Sequence, residues 1–485
     1  RRVTATAMAE HYDIVVIGAG SAGMPLAICA AARGARVLVV ENNDRLGGQL
    51  HWSSGQLSAA GSRLQAAKGI ADSPDAHLQD ALRISRGTAD AAALRPVIDG
   101  AADTLHWLLD NGYEVLPEHP IVYFAHEPYS VPRTYFGPDK ALGILRALEP
   151  QYRAQERAGR IRTLLRTRAV ALIGDAERGI RGVRFAPVQP DGTLDLSAPG
   201  EALARYTVLA TGGYARDPEK FLRWTGYPLY SWCSEHSRGW GHDLGLAVGG
   251  VLRHGEKFLC TFAGIASPKE PGQYHVLTHL TPQWRQPWEL YVNLLGERFV
   301  REDEPSVDAR EHALLGQPRL SFWAIYDQGI VEAAAQPFFF GLTPQELEPL
   351  WNAHASFRSA MQLDALAERC AIEPAVLQRT LREYNEAVAR RHDPQFGRQH
   401  LPAPIGRKPP FYAVLHHGIS VVGWAGLATD PDCRVLDGAG RPIPGLYAVG
   451  EVRGFGLMNG NAFIGGMGLQ PALTMGRLLG QRLAA

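Results

Sequence analysis

Cysteine is scarce in this chain and scattered: Cys29, Cys233, Cys260, Cys370 and Cys433 are the only five in 485 residues, and no two form a CxxC pair. An odd, dispersed set excludes a disulfide framework, and the missing close spacing excludes the usual zinc, iron–sulfur and c-type haem arrangements, so no metal is expected. A reducing, cytoplasmic compartment is the expectation. Net charge is also lacking, since 49 Lys and Arg balance 49 Asp and Glu with no long block of one sign. Nucleic acid and anionic membrane surfaces are therefore not expected partners. No apolar run has the length of a membrane span. Residues 1–10 have no apolar core of a secretory signal, and Arg1 and Arg2 have none behind them. Repeats and low-complexity tracts are absent too. A chain this long exceeds one ordinary core, so two domains are expected.

What the chain does have begins at residues 12–42, YDIVVIGAGSAGMPLAICAAARGARVLVVEN. A buried strand runs into Gly18, Gly20 and Gly23, a helix carries Pro25 in its first turn, and a second strand ends on Glu41. This is the pattern of a dinucleotide-binding βαβ unit. Glycine lets the backbone turn tightly and approach a pyrophosphate, whose charge is met by free N–H groups and the helix dipole. An acid at Glu41 accepts from ribose hydroxyls and disfavours a 2′-phosphate, which favours FAD or NAD over NADP.

Farther along, the spacing predicts helices over LQDALRISRG, over AALRPVIDGAADTLHWLLDNG with Gly112 at its end, and over PDKALGILRALEPQYRAQERAG. A strand pair is expected at IRTLLRTRAVALI and GIRGVRFAPV, and a buried strand at TVLATGGYA. From Glu256 aromatics and prolines crowd the chain, and helical blocks follow at LTPQELEPLWNAHA and AIEPAVLQRTLREYNEAVARRH. Strand-like patterning resumes at KPPFYAVLHHG. A turn at Gly438–Gly440 then precedes the buried strand GLYAVGE and a glycine-rich loop, FIGGMG, that opens a helix. Glycine-rich site elements near both ends imply that both ends build one site.

Six collinear pieces resemble the flavoprotein family of fumarate reductase, succinate dehydrogenase and the ketosteroid dehydrogenases: VVIGAGSAG with Glu41, RLGGQLHWSSGQL, SVPRTYFGPDKALGIL, VLATGGYARDPEKF, GERFVRE, and IPGLYAVGEVRGFG leading to FIGGMG. The resemblance implies an α/β fold, with a Rossmann-like FAD-binding domain of the glutathione-reductase type (residues 10–255 and 405–485) and an inserted α+β capping domain (256–404) that closes substrate over the flavin. It implies FAD contacts from Gly18, Gly20, Ser21, Ala22 and Gly23, and from Glu41 and Asn42. Further contacts fall on Gly47, Gly48, Gln49, Ser53, Ser54 and Gly55, then on Ala210, Thr211 and Gly212, and finally on Gly450, Glu451, Gly466 and Leu469. The position of the covalent-flavin histidine falls near Gln49 rather than His51, so noncovalent FAD is expected.

Departures from the family narrow the substrate. Phe463 stands where fumarate reductases place an arginine that clamps a carboxylate. Val421 and Val422 replace a histidine pair, with His416 and His417 five positions earlier. A dicarboxylate loses its partners, whereas a neutral cyclic ketone, the substrate of the ketosteroid branch, suits Phe463 and the aromatic residues Tyr123, Phe124, Tyr129 and Tyr135. That branch takes an α-proton with a tyrosine or similar base and holds the carbonyl oxygen on backbone N–H as enolate charge develops. Gly466 occupies the backbone-donor position, and Ala462 stands in place of the nearby tyrosine. Tyr135, Tyr129, Arg310 and Ser306 are the remaining catalytic candidates, the last two sharing a face if residues 306–314 are helical. The expected activity is FAD-dependent desaturation α,β to a carbonyl, with electrons leaving to an acceptor outside the chain. The alternatives are an enone reductase running the reverse reaction and an electron-transfer subunit.

Overall fold

The structure, a computed structural model, describes residues 10–276, 280–334 and 342–485. Residues 12–42 form the expected unit: strand Glu10–Ile17, helix Gly23–Ala32 and parallel strand Val37–Val40, with Ile14 opposite Val37 and Ile17 opposite Val40. Val37–Val40 is buried at every position, as expected of a parallel strand covered on both faces. The sheet runs in the order Arg434–Leu436, Pro442–Ala448, Gly200–Leu209, Glu10–Ile17, Val37–Val40, Ile161–Leu164. All neighbours are parallel except the first pair.

The two chain ends meet because small residues let helices close up. Helix Leu469–Leu483 lies on helix Gly23–Ala32, and a Cβ on Gly476 or Gly480 would fall 2.4 Å from Ala22 O or 2.3 Å from Leu26 O. A larger residue at either position would push the last helix off the nucleotide-binding unit.

A second, antiparallel sheet runs Tyr274–Val276, Thr261–Ala266, Phe411–Ile419, Ser321–Asp327, Leu290–Asn293, and Phe357–Ala360 also pairs with Phe411–Ile419. Its core of Leu290, Val292, Trp323, Ile325, Phe357 and Val414 is covered by helices Leu363–Arg369 and Pro374–Arg390. A division at residue 405 would remove this sheet's central strand, because Val414 pairs with both Ala324 and Phe357. After Ile419 the chain next joins the first sheet at Arg434–Leu436.

Two local expectations also change. IRTLLRTRAVALI is two strands rather than one: Ile161–Leu164 joins the parallel sheet, Arg166 turns with φ +48, and Thr167–Asp175 pairs antiparallel with Gly179–Pro187. LTPQELEPLWNAHA yields only the short helix Pro344–Leu347 and a 3-10 turn, Glu348–Leu350. Pro349 has no N–H to continue the helical ladder.

Candidate active site

A cavity of about 600 Å³ opens at the C-terminal ends of the parallel strands and reaches the second sheet, at the edge where open α/β sheets hold ligands. Gly18, Gly20, Ser21 and Ala22 line it after the first strand, and Glu41 and Asn42 after the second. Ala210, Thr211 and Gly212 follow strand Gly200–Leu209, and Gly450 and Glu451 follow Pro442–Ala448. Gly48, Gln49, Ser53 and Ser54 come from the loop after Asn42, and Gly466 and Leu469 from the distal loop. These expected positions share one wall.

Gly23, Gly47 and Gly55 stand behind that wall and shape it instead. A Cβ on Gly23 would lie 1.9 Å from Gly18 O, and one on Gly55 (φ +82) 2.7 Å from Ala141 N. Gly47 has φ +111 and abuts His51 Nε2. Gly18 is the most constrained: φ is +105 and a Cβ would fall 2.3 Å from Ala210 O, a conformation and a clearance that only glycine tolerates.

The wall fits FAD. Glu41 is buried, and its oxygens accept from Ala19 N and Asn43 N at 2.7 Å each. Burial raises its carboxyl while those N–H donors oppose the rise; further lone pairs remain for ribose hydroxyls. Thr211 Oγ1, on the same wall, is buried without a partner among the described residues. Glu451 accepts from Gly423 N at 2.6 Å, and burial pushes its carboxyl up to about 7. Helix Leu469–Leu483 begins at the wall, where its N-terminal partial charge suits electron-rich oxygens. His51 is not part of this lining, its Nε2 lying 2.8 Å from Leu46 O.

Several wall residues carry no motif. The Arg168 guanidinium sits 3.7 Å above the Trp240 ring and its Nε donates to Asn42 Oδ1 at 2.7 Å. His236 Nδ1 lies 3.2 Å from Asn42 Nδ2. Arg168 and Ala169, adjacent on strand Thr167–Asp175, both line the cavity.

At the other end the lining turns apolar and aromatic: Phe262, Trp284, Val421, Val422 and Phe463, with Tyr123 and His126 beside them. Phe463 packs among Trp424, Phe455 and His126. His416 and His417 stay in the second sheet, the first stacked on Phe322 and the second on Tyr230 with Nδ1 2.7 Å from Ser321 Oγ. Neither takes the place of Val421 or Val422 in the lining.

The catalytic candidates, Gly466 apart, are not brought to the cavity surface. Tyr135 is fully buried with its hydroxyl 2.5 Å from Ser62 Oγ, and burial pushes its phenol up to about 12. Tyr129 donates to Gly465 O at 2.5 Å, propping the FIGGMG loop from behind. Arg310 is buried, donates from Nη1 to Leu280 O at 2.8 Å and lies over the Phe262 ring. Ser306 caps helix Val307–Leu315, accepting from Ala309 N at 3.2 Å and donating to Glu127 at 2.9 Å. The helix forms as expected, but its first residues serve capping. Gly466 lines the cavity with φ +78, and a Cβ there would meet Ser58 Oγ at 2.6 Å.

The segment 123–135 owes its shape to Arg133, whose Nε and Nη2 donate to Asp72 at 2.9 and 2.7 Å and whose Nη1 donates to Asp80 at 2.7 Å. Asp80 also accepts from Ser130 N and Oγ. This wiring turns Tyr129 and Tyr135 inward and leaves Tyr123 and His126 at the cavity.

Comparison with known proteins agrees with this geometry. The model of the family described as FAD binding domain matches residues 13–469. Vinyl phenol reductase of Lactiplantibacillus plantarum is 28% identical over 466 residues, covering 92% of this chain and 90% of its own. Fumarate reductase (cytochrome) of Shewanella frigidimarina is 26% identical over 500 residues, covering 100% of this chain and 79% of its own. Among solved structures, 3-ketosteroid delta1-dehydrogenase from Sterolibacterium denitrificans superposes with a TM-score of 0.75 at 21% identity, covering 98% and 99% of the two chains. The glycine-shaped cradle, the acid at Glu41 and a family match across nearly the whole chain lead to one assignment: this chain belongs to the FAD binding domain family and is an FAD-dependent oxidoreductase of the fumarate-reductase type, acting on C=C and CH–CH bonds.

Proposed function

We propose that the chain desaturates a neutral, ring-bearing ketone at its α,β bond and passes the electrons to an acceptor outside the chain, with FAD held noncovalently. The observation that carries this reading is the apolar substrate end, where Phe262, Trp284, Val421, Val422 and Phe463 are five uncharged side chains, none able to pair with a carboxylate. Bound FAD supplies a two-electron oxidant there. Gly466 is assigned the backbone N–H that meets the carbonyl oxygen as enolate charge develops. Trp52, whose ring is edge-on to Trp232, and Trp284 flank the cavity as partly exposed aromatic surfaces that suit a ring entering from water.

A second reading, reduction of a conjugated C=C, draws support from relatives named vinyl phenol reductase and fumarate reductase. Anaerobic mixing separates the two. Oxidised holoenzyme bleached by saturated cyclic ketones supports desaturation. Reduced holoenzyme that recovers its yellow colour only with enones or vinyl aromatics supports reduction. Bleaching by no small molecule, with reduction only by a protein donor, would replace both with an electron-transfer role.

A further inference from the structure

This inference rests on the reaction proposed above and deepens it. We infer that His126 is the residue that exchanges the α-proton with substrate, and that Glu311, reaching it from the second domain, holds it in position. The ring of His126 lines the cavity and is stacked on Phe463, with centroids 4.2 Å apart and planes 16° off parallel. Its Nδ1 lies 2.8 Å from Glu311 Oε1. A carboxylate at Nδ1 fixes the proton on that nitrogen and leaves Nε2 with a lone pair. Nε2 has no hydrogen-bond partner among the described residues, so it is free to meet a ligand.

Glu311 is buried, and its other oxygen has no partner among the described residues. Burial raises its carboxyl, opposed chiefly by His126. A buried acid with one committed partner is costly unless that partner is charged or donates strongly. The pairing is therefore specific, and the surroundings keep it in register. Glu127 accepts from Ser306 Oγ and Asp308 N, docking the His126 segment onto the start of helix Val307–Leu315. Arg86 pairs with Asp308, and its Nη2 lies 3.1 Å from His312 Nε2. Arg310 points the other way, to Leu280 O. The charged and titratable groups around the pair are thus Asp308, Arg310, His312, Arg86, Glu127 and the buried Cys260 thiol.

In the desaturating direction the Cα–H bond breaks and its proton passes to Nε2. The electron pair of that bond becomes the new π bond as the β-hydrogen leaves with its own pair, for which bound FAD would supply the two-electron acceptor. In the reducing direction the imidazolium returns the proton to Cα. Tyr123, another titratable side chain at this end, has its phenol raised by burial and stays protonated at neutral pH.

The test separates proton transfer from net turnover. Holoenzyme with its FAD kept reduced by dithionite is incubated with cyclohexanone in D2O, and α-deuteration is followed by mass spectrometry beside steady-state turnover with an artificial acceptor. His126→Gln is expected to lose about 100-fold or more in both exchange and kcat, the range of a general base, while FAD absorbance and KM barely move. Glu311→Gln is expected to lose about 10-fold and to displace the acid limb of the pH–rate profile, because the amide cannot stabilise an imidazolium. Tyr123→Phe should stay within about threefold. His126→Gln loaded with FAD and exchanging at the unaltered rate would overturn the assignment, as would loss in Tyr123→Phe alone. An unaltered holoenzyme that neither exchanges nor oxidises any ketone would overturn the proposed reaction, and this inference with it.

Discussion

Replacing Arg133 by Met removes the centre of a buried network and exposes how the 123–135 segment is held. The guanidinium is fully buried, as is the Asp72 side chain, and the Asp80 side chain is 3% exposed. Three charge-assisted hydrogen bonds of 2.7–2.9 Å disappear. Both carboxylates keep other donors, Gln65 and Ser73 for Asp72, Ser130 and Arg83 for Asp80. Breaking a buried pair costs about 3–5 kcal/mol, and the surviving donors place the expected loss near the lower end, about 3 kcal/mol.

The pH dependence carries a definite sign. Against the opposing effect of burial, Arg133 and Gln65 hold the Asp72 carboxyl below its usual value of 3.8, and Ser130 and Arg83 do the same for Asp80. Depressed carboxyls contribute stability above the unfolded value that is lost as pH falls through the folded one. Without Arg133 that contribution shrinks, and burial favours the protonated acid. The deficit of the variant is therefore fully present at pH 7 and narrows only as pH falls below 3.8. Urea unfolding followed by tryptophan emission at pH 7 and at about pH 3 is the assay. A loss below about 1 kcal/mol at pH 7, or a deficit that does not change with pH, would refute the assigned role of the network.

Gly18→Ala is expected to yield protein without the flavin absorbance band, because φ +105 and a Cβ 2.3 Å from Ala210 O leave no room for a methyl at the pyrophosphate turn. Tyr135→Phe should leave turnover within about twofold of the parent and lower stability by about 1 kcal/mol, the worth of its bond to Ser62; a collapse of kcat with FAD still bound would return Tyr135 to the mechanism. The Glu451 carboxyl, raised from 4.5 to about 7, stays protonated in the folded apoprotein where the unfolded chain has already released its proton. Its contribution to stability is therefore present at acid pH and lost as pH climbs through that interval. Glu451→Gln should flatten the urea-midpoint profile of the apoprotein over that range, and an unchanged profile would remove Glu451 as its source.

The nucleotide half was legible from sequence because each of its features is local. A strand, a glycine turn, a helix and an acid at the next strand's end fix backbone geometry within about thirty residues, and Gly18 and Glu41 line the cavity at the ends of the first two strands. The placement of Phe411–Ile419 in the second sheet was not legible, because a central strand looks alike whichever sheet it joins, and only its partners Ser321–Asp327 and Thr261–Ala266 decide.

The catalytic end was least legible. RTYFGPDK drew attention to Tyr135, yet Arg133 two residues earlier is satisfied by Asp72 and Asp80, and that buried pairing turns the tyrosines inward. His126 carries no motif of its own. What distinguishes it is a carboxylate 185 residues away in sequence and 2.8 Å away in space. Sequence by itself determined that FAD binds and that Phe463 stands in the glycine-rich loop of the site. Tertiary structure decided which side chains face the substrate, because that depends on which buried charges pair across the fold.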